Sequence, residues 1–300
     1  MEARPLNWKE EVSLESPHYK GHQQINGNDL YYEYYKNEAS TITLVLIHGF
    51  LSSSFSFRRL IPLLKEEYNV VSVDLPPFGN SGKSTQFIYS YENMAKSIIE
   101  LTQKLGVKEF VVIGHSMGGQ ISLNIAYLQP DLVKRAVLLC SSGYLERSKQ
   151  SLILASYLPF FHLIVKRHLA RSGVLKNLQN VVYNQSLIDE EMFHGYMRPF
   201  LEDDIFKGLT RLIRHREGDL PKEKLHQINT PCLLIWGEQD KVVPLQIGKR
   251  LHHDLKHSNL IVFEETGHLV PEERPEEVFL HIRNFIVNDE DATIKANELH

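Results

Sequence analysis

Between Ile42 and Cys140 short apolar runs alternate with amphipathic stretches. The runs are ITLVLIHGF, NVVSVDLP, EFVVIGHS and VKRAVLLC. Each is apolar throughout rather than every second residue, the pattern of parallel strands covered on both faces. Between them lie SFRRLIPLLKEEY, SYENMAKSIIELTQKLG and MGGQISLNIAYLQP. All three are predicted helices, with Pro62 near the start of the first or kinking it and Pro130 stopping the third. In the second, Ser90 is a candidate N-cap. Met94, Ile98, Leu101 and Leu105 share a face, and Gly106 ends the helix. The alternation resumes with PCLLIWGE, PLQIGKRLHHDL, NLIVFEET and PEEVFLHIRNFI, where Val278, Ile282 and Ile286 form one stripe. Upstream, His22–Ile25 and Leu30–Tyr35 read as paired strands, with Asn26-Gly27-Asn28-Asp29 as turn chemistry.

From about Glu146 to Pro221 the alternation stops. SLILASYLPFFHLIVKRHLARSG, NLQNVVYNQSLIDEEMFHGYMRPF and DDIFKGLTRLIRHREG all read as helical. The expected architecture is an α/β core over 1–145 and 222–300. Its central sheet is mostly parallel and flanked by helices, with an inserted all-helical cap over 146–221. Residues 1–22 read as an extended polar arm and DEDATIKANELH as a frayed polar tail.

Composition narrows the class. Apolar residues make up 42% and charged residues 23% of 300, ordinary for a globular chain. The formal charge of −4, without a long basic run, argues against nucleic acid as a partner. Cys140 and Cys232 both sit in strand-like runs and read as buried free thiols. With no apolar leader near the start and no run near the roughly 18 residues of a membrane span, a reducing, cytoplasmic setting is expected.

Gly114-His115-Ser116-Met117-Gly118 joins a strand to a helix. A serine thrust clear of a sheet in this way needs a tight, strained turn, and side chains two residues to either side would collide. Hence Gly114 and Gly118 flank Ser116, the candidate nucleophile; Gly119 would let the helix pack closely. The bland alternative is glycine serving only strand–helix packing. Serine needs a base, and the base an orienting acid. His268 lies just past the last strand-like run and Asp240 in the turn after IWG, with Glu238 the weaker alternative. The oxyanion donors expected are the backbone N–H groups of Met117 and Phe50. His48 reads as a brace for the loop carrying Phe50. GNSGKS lacks the first glycine of a phosphate loop, since position 77 is proline, and no metal-ligand spacing is present.

LIHGF, DLPPFGNSGKS, GHSMGG, WGEQDKVVP and TGHLVPEERP together resemble the α/β-hydrolase fold superfamily over nearly the whole chain, cap included. The order Ser116, Asp240, His268 is that fold's order. The resemblance is to capped esterases, monoacylglycerol-lipase-like enzymes and carbon–carbon hydrolases of ring-fission products. Dehalogenase and epoxide-hydrolase relatives carry aspartate where Ser116 stands. Two departures are visible: proline at the first glycine of the loop after Asp74, and His115 where carbon–carbon hydrolases often have asparagine.

The resemblance implies a cofactor-free, metal-free serine hydrolase cleaving medium-sized acyl or aromatic esters. The alternatives are carbon–carbon cleavage of a diketone acid, or a ligand sensor without turnover. Pocket-wall candidates are Leu51, Leu158, Phe160, Phe161, Val242 and Leu269. The apolar SLILASYLPFF followed by Lys166, Arg167 and Arg171 reads first as a cap helix with its basic face in solvent. The sharper reading is a lip making weak contact with a membrane surface.

Overall fold

The computed structural model describes residues 18–287. The first 17 residues of the expected arm and the tail over 289–300 lie outside them. Eight strands form one sheet: β1 (His18–Ile25), β2 (Asn28–Tyr35), β3 (Thr43–Ile47), β4 (Asn69–Val73), β5 (Phe110–His115), β6 (Val133–Leu139), β7 (Cys232–Gly237) and β8 (Ser258–Phe263). Their order is β1-β2-β4-β3-β5-β6-β7-β8. β1 and β2 pair antiparallel, as do β2 and β4; all later neighbours are parallel.

The strands run apolar because helices cover them. β3, β4, β5 and β7 are buried at every residue. β8, an edge, is only half-buried, so the expectation of two covered faces does not extend to it. The first hairpin is longer than its sequence suggested. β1 starts at His18 rather than His22, and the turn contracts to Asn26-Gly27, at φ 51° and 74°. Two positive φ values give a turn whose twist matches the strands.

The helix Tyr91–Lys104 starts where Ser90 Oγ accepts the Asn93 N–H at 3.1 Å. Met94, Ile98 and Leu101 are buried, and Gly106 follows at φ 74°. SFRRLIPLLKEEY instead forms a short 3₁₀ turn, Ser54–Phe57, and one α turn, Ile61–Leu64. Pro62 has no N–H for a carbonyl four residues back, so one continuous helix cannot form there. Between β6 and β7 the described chain has helices but no strand: Gln150–Ala155, Phe161–Ser172, Val174–Val181, Glu190–Met197 and Asp204–His215 are the main ones. The first apolar stretch breaks at Pro159, and Phe160 turns the chain at φ 60°.

β4 lies on one side of β3, and β5 and β6 lie on the other. The chain therefore leaves neighbouring strands β3 and β5 in opposite directions, which opens a crevice at their carboxyl ends. The loops entering that crevice are His48–Leu51 and Gly114–Met117.

Candidate active site

Ser116 separates β5 from the helix Met117–Leu128 at φ 53°, ψ −117°, a region sparsely populated by L residues. Its backbone is held on every side. Its N–H donates to Leu139 O (2.9 Å), and its carbonyl accepts from Gly119 N–H (3.0 Å) and Ser142 N–H (2.9 Å). The glycines are dictated by contact. A Cβ on Gly114 would lie 2.4 Å from Gly118 O, and one on Gly118 would lie 2.0 Å from Ile47 O. A Cβ on Gly119 would meet Ser141 Oγ at 2.4 Å.

Asp240 sits in the turn after β7 and is buried. Its Oδ1 accepts the N–H groups of Val242 (2.8 Å) and Val243 (2.9 Å). Its Oδ2 lies 2.7 Å from His268 Nδ1. A carboxylate only accepts, so His268 Nδ1 carries a proton and Nε2 is the ring nitrogen left free of Asp240. Glu238, the weaker alternative, is exposed and accepts from the Gln239 side-chain amide at 2.8 Å.

His115 connects the two halves. It precedes Ser116, its Nε2–H donates to His268 O (2.9 Å), and the two rings lie 4.8 Å apart. Burial, then the neighbouring His268, drives its pKa down to about 3, so its ring is neutral. His48 braces the opposite loop as its sequence setting suggested. Nδ1–H donates to Gly49 O (2.7 Å), and Nε2 accepts Leu75 N–H (2.8 Å) from the end of β4. Among the described residues, the backbone amides of Phe50 and Met117 have no backbone acceptor.

Phe50, Ser116 and Met117 line a cavity of about 800 Å³ whose wall is mostly apolar. Of the expected wall residues, Phe161 and Val242 belong to it, and the other four do not. Leu158 and Phe160 project into solvent from the turn at Pro159. Leu51 turns away at φ 54° and packs on the core. Leu269 packs instead among Leu178, Val182, Met192 and Tyr196. The wall gains Leu209, Leu212 and Ile213 from the helix Asp204–His215, whose helical spacing was visible in DDIFKGLTRLIRHREG. Tyr91, Ser142 and Arg216 are its polar members least expected from sequence.

By sequence Cys140 is only a buried thiol. Its Sγ, an Asp240 oxygen and a His268 ring nitrogen lie within 4.8 Å of one another. The thiol itself reaches outside the trio, to Gly267 O at 3.9 Å. His268 Nδ1 is engaged by Asp240. Burial, then the nearby Asp240 charge, pushes the Cys140 thiol well above its usual range, and Gly237 N–H donates to its sulfur at 3.5 Å. Both cysteines are free.

Comparison with known proteins shows the family. The chain is 56% identical over 262 residues to the uncharacterized hydrolase YugF of Bacillus subtilis, covering 87% of this chain and 96% of that protein. It is 26% identical over 253 residues to a 2-hydroxy-6-oxononadienedioate/2-hydroxy-6-oxononatrienedioate hydrolase of Paraburkholderia phymatum, covering 81% and 86%. Among solved structures, a membrane phospholipase A superposes with a TM-score of 0.75 at 26% identity, covering 90% of this chain and 86% of that one. A model of the alpha/beta hydrolase family matches residues 44–280. The chain is accordingly a hydrolase that belongs to the alpha/beta hydrolase family.

Proposed function

We propose that the chain is a serine hydrolase cleaving carboxylic esters with a medium-sized acyl or aromatic portion. The observation that carries this reading is a strained, backbone-locked Ser116 on the wall of an apolar cavity, linked through its neighbour His115 to a buried Asp240–His268 pair. Ser116 Oγ attacks the ester carbonyl carbon as His268 Nε2 takes its proton. The Phe50 and Met117 amides stabilise the oxyanion, each worth about 10²–10³ in rate. His268 then returns the proton to the departing alcohol. Water, deprotonated by His268, attacks the acyl-enzyme and releases the acid. Asp240 keeps the imidazole in the Nδ1–H tautomer and stabilises its charged form. The helices between β6 and β7 act as the cap, supplying most of the apolar wall and so the selection by size.

The name of the structural relative at 26% identity, a phospholipase A, supports ester chemistry. A second reading, carbon–carbon cleavage of a diketone acid, is favoured by Arg216 in the wall, a cation able to meet a carboxylate, and by the Paraburkholderia relative. Ser116→Ala should abolish labelling by a fluorophosphonate probe; persistent labelling would overturn the nucleophile assignment. Turnover of a p-nitrophenyl ester series against a chromogenic ring-fission product separates the two readings. Tight ligand binding without turnover of either would favour a sensor.

A further inference from the structure

The face of the helical segment beside the cavity combines two features that the proposed chemistry does not require. The first is exposed apolar surface. Phe160 is 71% exposed, Tyr157 64%, Leu158 62% and Leu154 61%, all within one short stretch. Such side chains in a contiguous patch mark an interaction surface rather than ordinary scatter. The turn that carries them is braced from behind. Arg214 Nε donates to Ser156 Oγ at 2.9 Å, and its Nη2 donates to Ser156 O. Its guanidinium also stacks on Tyr157 at 4.2 Å.

The second feature is charge. From Arg147 to Ile188 there is no aspartate or glutamate, although the chain as a whole carries a net charge of −4. The same stretch holds Arg147, Lys149, Lys166, Arg167, Arg171 and Lys176. Lys166 is paired with Asp203. Arg167 and Arg171 are exposed on the helix Phe161–Ser172. The spacing of Ile164, Arg167 and Arg171 places them on one helical stripe, apolar first and basic after, with Phe160 in the turn just before its start. Ile164 is 61% exposed and also lines the cavity, so the patch runs into the cavity wall.

We infer that this face docks on an anionic lipid surface. The apolar turn around Leu158 and Phe160 would enter the headgroup layer, with Arg167 and Arg171 against the lipid phosphates. Apolar burial supplies the depth and the basic residues supply the preference for negative charge. The cavity edge at Ile164 would then meet the membrane, the direction from which a substrate too apolar for water arrives.

Co-sedimentation of the full chain with phosphatidylcholine vesicles, with and without about a third phosphatidylglycerol, tests this. Binding should require the anionic lipid and fall at least about tenfold between about 0.05 and 0.5 M salt. Arg167→Ala with Arg171→Ala should weaken the partition coefficient at least about tenfold. Leu158→Ser with Phe160→Ser should weaken it similarly. Neither pair touches the cavity wall, so unchanged circular dichroism and unchanged turnover of a water-soluble ester verify the fold. Absent binding to the anionic vesicles would overturn the inference, as would equal binding to both vesicle types. Self-association by light scattering that Phe160→Ser abolishes would overturn it too, assigning the face to a second copy of the chain.

Discussion

His115 gives its single N–H to the carbonyl of His268, and its other ring nitrogen, Nδ1, is buried without a hydrogen-bond partner among the described residues. A cation here would repel the imidazolium that His268 becomes during the proposed reaction, so the burial that keeps His115 neutral serves the neighbour. His115 thereby acts as a positioning residue for His268. His115→Ala should lower kcat on a p-nitrophenyl ester by about tenfold with KM little changed, the scale set by small misplacements of a base. His115→Asn, whose amide can donate to the same carbonyl, should recover most of the loss; a purely packing role would instead lower Tm and leave kcat alone. The folded-state pKa is depressed from 6.5 to about 3, so the folded protein resists a proton that the unfolded chain accepts. The contribution of His115 to stability is complete above about pH 6.5 and declines as pH falls toward 3. Ser116, Asp240 and His268 stand out in the sequence as candidates because each stands beside a strand end in turn-forming company, where a side chain can leave the sheet. Cys140 does not. A thiol ending an apolar run looks like core, and it meets Asp240 only because β6 and β7 are neighbours.

At the scale of elements, the loop carrying His268 is held by the helical segment. Val181, the last residue of its helix, accepts His268 N–H at 2.7 Å. Glu273 joins the same pieces from the other side. Oε1 accepts Gly267 N–H (2.9 Å), while Oε2 accepts Tyr183 N–H (2.8 Å) and Asn184 N–H (3.2 Å). One carboxylate thus receives three backbone donors from two separate segments, and a Cβ on Gly267 would lie 2.7 Å from Val181 O. Glu273→Ala leaves those donors without their acceptor, at about 1–3 kcal/mol. The expected result is faster limited proteolysis around Tyr183–Leu187 and a roughly tenfold lower kcat. Proteolysis that rises while kcat stays constant would separate the clamp from the chemistry. None of this was readable beforehand: in PEERPEE a glutamate is indistinguishable from its solvated neighbours until the fold brings residue 183 to it. The helices themselves were visible, though apolarity alone could not tell an inward Phe161 from an outward Phe160 across a turn.

Across the molecule, the helical segment leaves the core after β6 and returns before β7, and its two ends are pinned to each other. Asp219 N–H donates to Leu145 O (2.8 Å), Leu145 N–H donates to Asp219 Oδ2 (3.0 Å), and Arg216 Nη2 reaches Glu146 O (2.8 Å). Ends that meet make a long excursion tolerable, because the entropy of closing it grows only slowly with length. Asp219 does this at a cost. Among the described residues its buried Oδ1 makes no hydrogen bond of normal geometry, and burial raises its carboxyl to about 6 against partial relief from Leu145 N–H, Arg216 and the Ser142 hydroxyl. An acid whose folded pKa lies above its unfolded value of 3.8 is more readily protonated when folded. The Asp219 contribution should therefore become unfavourable as pH rises from about 4 to about 6, and the penalty is complete above that, at most about 3 kcal/mol. Asp219→Asn keeps an acceptor for Leu145 N–H and removes the buried charge. It should raise Tm at pH 8, with the gain shrinking toward zero near pH 4, in thermal melts of both proteins across that range. A gain that is constant with pH would mean that the Asp219 charge is not the source of the penalty. A loss at every pH would mean that its role in pinning the two ends outweighs it.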